Sequence, residues 1–198
     1  KTSGTAPLFV PCDLMDIDAL RAALSKVHAS LGNAAVLVNN AANDQRQVLS
    51  DVTPGEFDWM IGVNFKHVFF AAQAVVPQMQ ARGSGSIINM SSIVAATGYK
   101  GLSVYGASKA AATGFTRSLA REVGQLGITV NAIAPGYIDT DMVAAVPPEV
   151  LEKIVAKIPV GRLGQAHEIA RGVAFLCSDE AGFVTGSTLS INGGQHMY

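Results

Sequence analysis

Short apolar runs alternate along the chain with longer stretches whose apolar residues recur every three or four positions. The runs at 8–10, 35–38, 86–90, 128–133 and 188–191 are bounded by Gly, Pro, Asn, Asp or Ser, which predicts buried strands. The stretches between them read as helices. Asp16 is placed to cap one whose face carries Leu20, Ala23, Leu24 and Val27, with Gly32 at its end. Thr53-Pro54-Gly55-Glu56 is a capping box that opens a helical region reaching about Arg82, where Gly83-Ser84-Gly85 breaks it. A loop with Gly98 and Gly101 leads to a helix that holds Tyr105 and runs to about Gly124. Ala107, Ala110, Ala111 and Gly114 give that helix a small-residue face that suits close packing. A further helix spans about 166–178. Continuous apolar strands separated by helices imply a parallel sheet covered on both faces. The expected fold class is α/β, a doubly wound and mostly parallel sheet. Residues 137–160 are less regular, with Pro147-Pro148 and a short amphipathic helix at 149–157. Beside strand ends, such a segment is either a lid over a substrate or a plain connection.

Composition narrows the class. The 198 residues suit one domain, 1–198, and are 49% hydrophobic and 15% charged, with a net charge of -1. No basic excess points to nucleic acid. Cys12 and Cys177 show no metal or redox spacing, and His28, His67, His167 and His196 are scattered. We expect no metal site and read these histidines as surface or interface residues. The apolar stretch 68–79 is interrupted by Gln73 and Pro77 and is too short for a membrane span. With no signal peptide evident, a reduced, cytoplasmic setting is expected.

Candidate chemistry centres on Tyr105 and Lys109. They sit four residues apart on one helix face, with Ser92 thirteen residues before the tyrosine. A free phenol has a pKa of about 10, and a nearby ammonium favours its ionised form. A Ser hydroxyl beside it would hold a substrate oxygen, which is equipment for moving a proton on or off an alcohol or carbonyl. Taken alone, Tyr-x-x-x-Lys is as readily an ordinary helix face.

Joined in order by Asn39-Asn40-Ala41, Asn64, Ser92 and Pro135-Gly136, the pair resembles the short-chain dehydrogenase/reductase family from about Leu8 to the C-terminus. The resemblance implies a Rossmann-like fold and a nicotinamide cofactor, NAD or NADP. It implies catalytic roles for Asn64, Ser92, Tyr105 and Lys109. Ser92 rather than Ser91 matches the catalytic serine. Lys109 would bind the nicotinamide ribose and depress the Tyr105 pKa, and Asn64 would hold a water of the proton relay. Asn64 read on its own is a buried amide satisfied by backbone. Cofactor contacts are implied for Asp13 and Leu14 at the adenine, for Asn39 and Ala41 in a turn where Ala42 replaces the usual Gly, and for Pro135, Gly136, Ile138 and Thr140. The family typically assembles as dimers or tetramers through the helices that carry Asn64 and follow Tyr105.

Family members begin with a strand, a Gly-rich turn and a helix. No Gly-x-x-x-Gly-x-Gly pattern precedes Asp13, so the chain is expected to be a fragment or to be preceded by further residues. A sheet lacking its first two strands would expose an apolar edge prone to association. The choice between NAD and NADP belongs to that segment. For substrate, 143–198 resembles acetoacetyl-CoA and 3-oxoacyl-thioester reductases, which favours a 3-oxoacyl thioester. Residues 39–73 resemble sugar dehydrogenases of the family, with Asp44 and Arg46 either binding hydroxyls or forming a surface ion pair. A third possibility is a non-catalytic piece that only associates.

Overall fold

The computed structural model describes residues 7–144 and 146–197, without the side chains of Met142 and Ala144. Lys1 and Tyr198, the ends of the expected domain, lie outside the described residues. Four parallel strands form the main sheet: β1 (Val36–Asn39), β2 (Gly85–Met90), β3 (Ile128–Pro135) and β6 (Thr188–Ile191), in the order β1-β2-β3-β6. Val38 pairs with Ile88, Ile88 with Asn131, and Ile133 with Leu189. All four strands therefore end on the same side. Helices α1 (Ile17–Leu31), α2 (Pro54–Ile61), α3 (His67–Arg82), the single turn α4 (Val94–Thr97) and α5 (Ser103–Val123) precede β3. After it come the short strand β4 (Ile138–Asp139), the turn α6 (Asp141–Ala144), α7 (Pro148–Val155), β5 (Gly164–Gln165), which pairs with β4, and α8 (Ala166–Leu176). The fold is mixed α/β with a parallel central sheet, as the alternation implied.

Each strand divides its residues between two cores because successive side chains point to opposite faces. On one face Ile87 and Val130 pack with Val75 and Met79 of α3 and with Leu119 and Val123 of α5. On the other, Ile88 and Ile133 pack with Leu176 of α8. The helix starts are those the caps foretold. Asp16 accepts from the Asp18 and Ala19 amides, and Thr53 and Glu56 bond reciprocally at 3.3 and 2.8 Å.

The expectations for residues 8–10 and for His67 are corrected here, and the one for 54–82 is refined. Residues 8–10 are extended but form no strand. Among the described residues no strand lies beside them to complete a ladder, and Phe9 is 84% exposed. The helical region 54–82 is continuous but irregular, with a π-helical turn at Gly62–Lys66 joining α2 to α3. At 29 residues, Pro54–Arg82 is long and apolar enough to cross a membrane. Its apolar side chains Val68, Ala71, Ala72, Val75 and Met79 are instead buried in the protein core. Finally, His67 is not a surface residue, being only 3% exposed. It opens α3 directly after the π-turn, and α3 directs that position inward with Val68 and Ala71.

Candidate active site

The site is built where the parallel strands end, which is where open α/β sheets bind ligands. β2 ends at Met90 and delivers Ser91 and Ser92, and α5 crosses beneath them. Ser91 is buried and occupied: its hydroxyl donates to the Lys109 carbonyl at 3.1 Å and shares a hydrogen with Thr113 at 2.9 Å. Ser92 is half-buried, and its hydroxyl accepts from the Val94 amide at 3.2 Å. Sequence order left the choice between two adjacent serines to a resemblance. The structure separates them by what each touches.

Lys109 is 4% exposed, and its ammonium donates to the Met90 carbonyl at 2.8 Å. Nζ lies 5.8 Å from the centroid of the Tyr105 ring. Burial lowers the Lys109 pKa to about 8. The expected depression of the Tyr105 pKa is not found. Burial raises it and Asp44 adds to the rise, while the Ser92 hydroxyl works the other way. The reason is geometric: the ammonium is drawn down to a backbone carbonyl and faces the ring. Tyr105 therefore stays protonated at neutral pH.

Asn64 sits inside the π-turn and is 1% exposed. Its side chain clamps the loop after β1, accepting from the Asn43 amide and donating to the Asn43 carbonyl, both at 2.8 Å. It also lies 3.1 Å from the Ser108 hydroxyl. The bland reading of Asn64, a buried amide satisfied by backbone, holds for its side chain. That bond also fixes the loop running from Asn39 through Ala41 to Asp44. Asn39 is buried, with its side chain donating to Asn89 at 2.9 Å, whereas Ala41 is exposed.

Pro135 ends β3, and Gly136 approaches the C-terminal loop so closely that a Cβ would fall 2.5 Å from Gln195 Oε1 and 2.9 Å from Asn192. The Tyr137 amide donates to the same Gln195 oxygen at 3.1 Å. Asn192 and Gln195 thus fix the 135–137 turn from beneath, a role the sequence reading missed. Ile138 lies in β4, and Thr140 is exposed just beyond it. Asp13 is exposed and accepts from the Met15 amide at 2.9 Å. Leu14 is half-buried in that turn, and Met15 beside it reaches the π-turn, where a Cβ on Gly62 would lie 3.0 Å from Met15 Cε.

Asp44 and Arg46 form no ion pair. Arg46 lies over the Tyr99 ring, 5.0 Å from its centroid. Burial and the nearby Tyr99 push the pKa of Tyr137 up to about 12. Asp44 raises the pKa of both Tyr105 and Tyr137. Asp44 and Arg46 therefore act on Tyr137 together with Tyr99, and Asp44 acts on Tyr105 as well. Tyr99 and Tyr137 had no spacing signal, because 38 positions of chain separate them.

A family model described as enoyl-(acyl carrier protein) reductase matches residues 1–196. The chain belongs to the short-chain dehydrogenase/reductase family. It is 48% identical over 184 residues to an acetoacetyl-CoA reductase of Shinella zoogloeoides, covering 92% of this chain and 76% of that one. It is 42% identical over 197 residues to the 3-oxoacyl-[acyl-carrier-protein] reductase FabG of Staphylococcus aureus strain Mu50, covering 100% and 80%. It is 43% identical over 182 residues to nodulation protein G of Azospirillum brasilense, covering 92% and 74%. As a member of this family the chain is an oxidoreductase, and reductases of this type use NAD(P)H. The donor set fits such a cofactor. The Lys109 ammonium has three N–H groups, one of them spent on Met90, which leaves donors for a diol.

Proposed function

We propose that the protein reduces the carbonyl of a 3-oxoacyl thioester. The observation that carries this reading is a buried Lys109 whose ammonium lies 5.8 Å from the centroid of the Tyr105 ring, with Ser92 just past the end of β2. A bound nicotinamide would supply hydride to the carbonyl carbon. Ser92 holds the carbonyl oxygen, and Tyr105 gives that oxygen its proton, so that an alcohol results. A phenol kept protonated by burial suits this direction, since it enters the reaction as an acid. The proton on Tyr105 would be replaced through the cofactor ribose, Lys109 and a water held at Asn64. Asn39, Ala41, Pro135, Gly136, Ile138 and Thr140 line the cofactor's course, with Asp13 and Leu14 toward its adenine. The names of the two reductase relatives favour thioester substrates.

A second reading rests on the polar cluster of Asp44, Arg46, Tyr99 and Tyr137, which suits a hydroxylated substrate such as an aldose. Turnover of acetoacetyl-CoA against aldoses, each with both nicotinamide cofactors, decides between them and reads the NAD or NADP preference directly. Thioester turnover is expected. Activity confined to sugars would overturn the first reading.

In this reading residues 1–198 form one cytoplasmic domain and 137–160 serve as a lid. Support comes from α7, where Leu151 and Val155 line an open groove of about 520 Å³. The Arg162–Glu168 pair, bonded at 2.8 and 2.7 Å, anchors the segment's far end. A homo-oligomer, dimer or tetramer, is proposed through α3 and α5, where Phe65, Phe69, Val76, Ala111 and Phe115 line a cavity of about 580 Å³. Ala111→Arg should shift the elution profile toward smaller species; an unchanged profile would exclude α5 as an interface.

A further inference from the structure

The mechanism above leaves the turn after β6 without a task, yet that turn is bonded into the site at several points. The backbone reverses at Gly193 and Gly194, where φ is 63° and 86°, values that glycine adopts without strain. Asn192, 9% exposed, holds the reversal together. Its side-chain oxygen accepts from the Gly194 amide at 2.9 Å, and its side-chain nitrogen donates to the His196 carbonyl at 3.0 Å. The Gln195 side chain then reaches back to the 135–137 turn, where its oxygen accepts from the Tyr137 amide at 3.1 Å. On the other side of the reversal, the Gly193 carbonyl accepts from the Val160 amide at 3.1 Å. A Cβ on Gly193 would fall 2.8 Å from Ile158, and one on Gly194 would fall 3.0 Å from Pro159. Residues 137–160 therefore begin and end on the same turn, 192–195. A cavity of about 140 Å³, bordered by Tyr137, Val160, Asn192 and Gly193, leaves this joint room to move.

We propose that the turn 192–195 is the base on which the 137–160 segment hinges, and that Gln195 is its positioning residue for the reaction. Gln195 touches neither substrate nor reacting atoms. It acts through Tyr137, the node of the joint, whose amide donates to Gln195 and whose carbonyl accepts from the Gly164 amide at 3.0 Å. Setting the Tyr137 backbone sets the step from Pro135 and Gly136, on the cofactor's course, into the segment that covers the substrate. The bonding of the turn explains why a side chain is needed here. The Pro135 carbonyl accepts from the Ile93 amide and the Gly136 amide donates to the Ile191 carbonyl, both at 3.1 Å. Up to Gly136 the turn is thus held by backbone alone, and Tyr137 is where it comes to depend on a side chain. A leucine at 195 would fill similar space but offer no acceptor, leaving the Tyr137 amide without its partner. Gln195 and the Val160 anchor share one reversal of the chain, so loosening the first should loosen the second.

The inference rests on the reading of 137–160 as a lid, yet its first test needs no substrate. Amide hydrogen exchange of the ¹⁵N-labelled protein would be compared between the wild type and Gln195→Leu. The Tyr137 amide loses its acceptor and should exchange about tenfold faster. The deciding reporter is the Val160 amide, whose own acceptor is untouched. It should speed up by a similar factor, with the amides of β2 and β3 unchanged. Equal Val160 exchange in the two proteins would overturn the shared base, whatever the enzyme turns over. The second test is kinetic. Gln195→Leu should raise KM for acetoacetyl-CoA about tenfold with kcat nearly unchanged. Gln195→Glu, which keeps an acceptor at that place, should restore both the KM and the exchange rates. An unchanged KM in Gln195→Leu, or equal impairment of the Leu and Glu variants, would reduce Gln195 to packing. No turnover of acetoacetyl-CoA by the wild type would count against the thioester reading instead, and the exchange result would stand. Should Gln195→Leu not fold, the wild type still decides: its Tyr137 and Val160 amides should lose protection together as denaturant is raised, and separate transitions would overturn the base.

Discussion

On the α3/α5 face of the sheet, Ile87 and Val130 are fully buried, and the polar side chains among them are bonded one to the next. Asn39 donates to Asn89, Asn89 to Thr116, and Thr116 to the Ala112 carbonyl, at 2.9, 2.9 and 2.8 Å. On the opposite face α8 covers β2, β3 and β6, but Val36 and Val38 of β1 remain 42% and 40% exposed. Tyr105 and Lys109 stand on α5, which packs on the first face. Holding an ammonium under a phenol requires a dry, stiff surround, and α3 and α5 packed on the sheet provide one. The second face carries exposed apolar area at Val36 and Val38.

Tyr105→Phe breaks the covered side at its chemical centre. Only the proton donor is lost, so turnover should fall by about 10²- to 10⁴-fold with an unchanged circular dichroism spectrum. Near-normal rates would end the proposed mechanism. Lys109→Met follows, and it should separate activity from stability. The buried charge has a single protein hydrogen bond, so an apolar replacement of similar volume is expected to stabilise the fold while turnover is lost.

The pH dependence has a definite sign. Lys109 is near 8 in the folded chain against 10.5 for an unperturbed lysine. Between those values the unfolded chain holds a proton that the folded chain has released, so stability rises with pH across that window. The gain is on the order of 3 kcal/mol if Lys109 acts alone, and below pH 8 its full cost is present. Chemical denaturation of the wild type and Lys109→Met from pH 7.5 to 10 measures this. Parallel curves would show that Lys109 is not buried as described.

Much of the covered side was legible beforehand. The period of apolar residues placed its strands, and capping chemistry placed the starts of α1 and α2. The Tyr105–Lys109 spacing put both groups on one face because helix geometry is local. What the sequence hid was non-local. Nothing in Gly62–Lys66 announces a π-turn, since propensity does not distinguish it from regular helix. His67 looked like any scattered histidine because its burial depends on that turn. The fixing of Gly136 by Gln195 joins positions far apart in the chain. Residues 8–10 carry a strand's composition, but a strand also needs a neighbour. The pKa of Tyr105 went the other way because proximity in sequence says nothing about where the ammonium points.

Asn89→Ala tests the stiffness of the covered side without touching the reacting groups. It removes the acceptor for the Asn39 amide and the donor to Thr116 in a position that is fully buried. Unpaired buried groups and a small cavity together should cost about 2–3 kcal/mol, read as a lower denaturation midpoint with the same slope. A loss below about 0.5 kcal/mol would mean that the chain of amides is idle.

Val38→Lys probes the other side and should do least. With Val38 40% exposed on the outermost described strand, the lysine stem lies along the sheet while its charge reaches water. Stability should change by no more than about 0.5 kcal/mol. Self-association driven by bare strand edges should weaken, because charged residues are what blunt such edges. Sedimentation at several concentrations reads the second effect and denaturation the first. A loss of several kcal/mol would carry a different lesson: it would mean that in the folded protein β1 is flanked and covered. Both faces of the sheet would then be equally closed, and the location of the site would have to be explained by the strand ends alone.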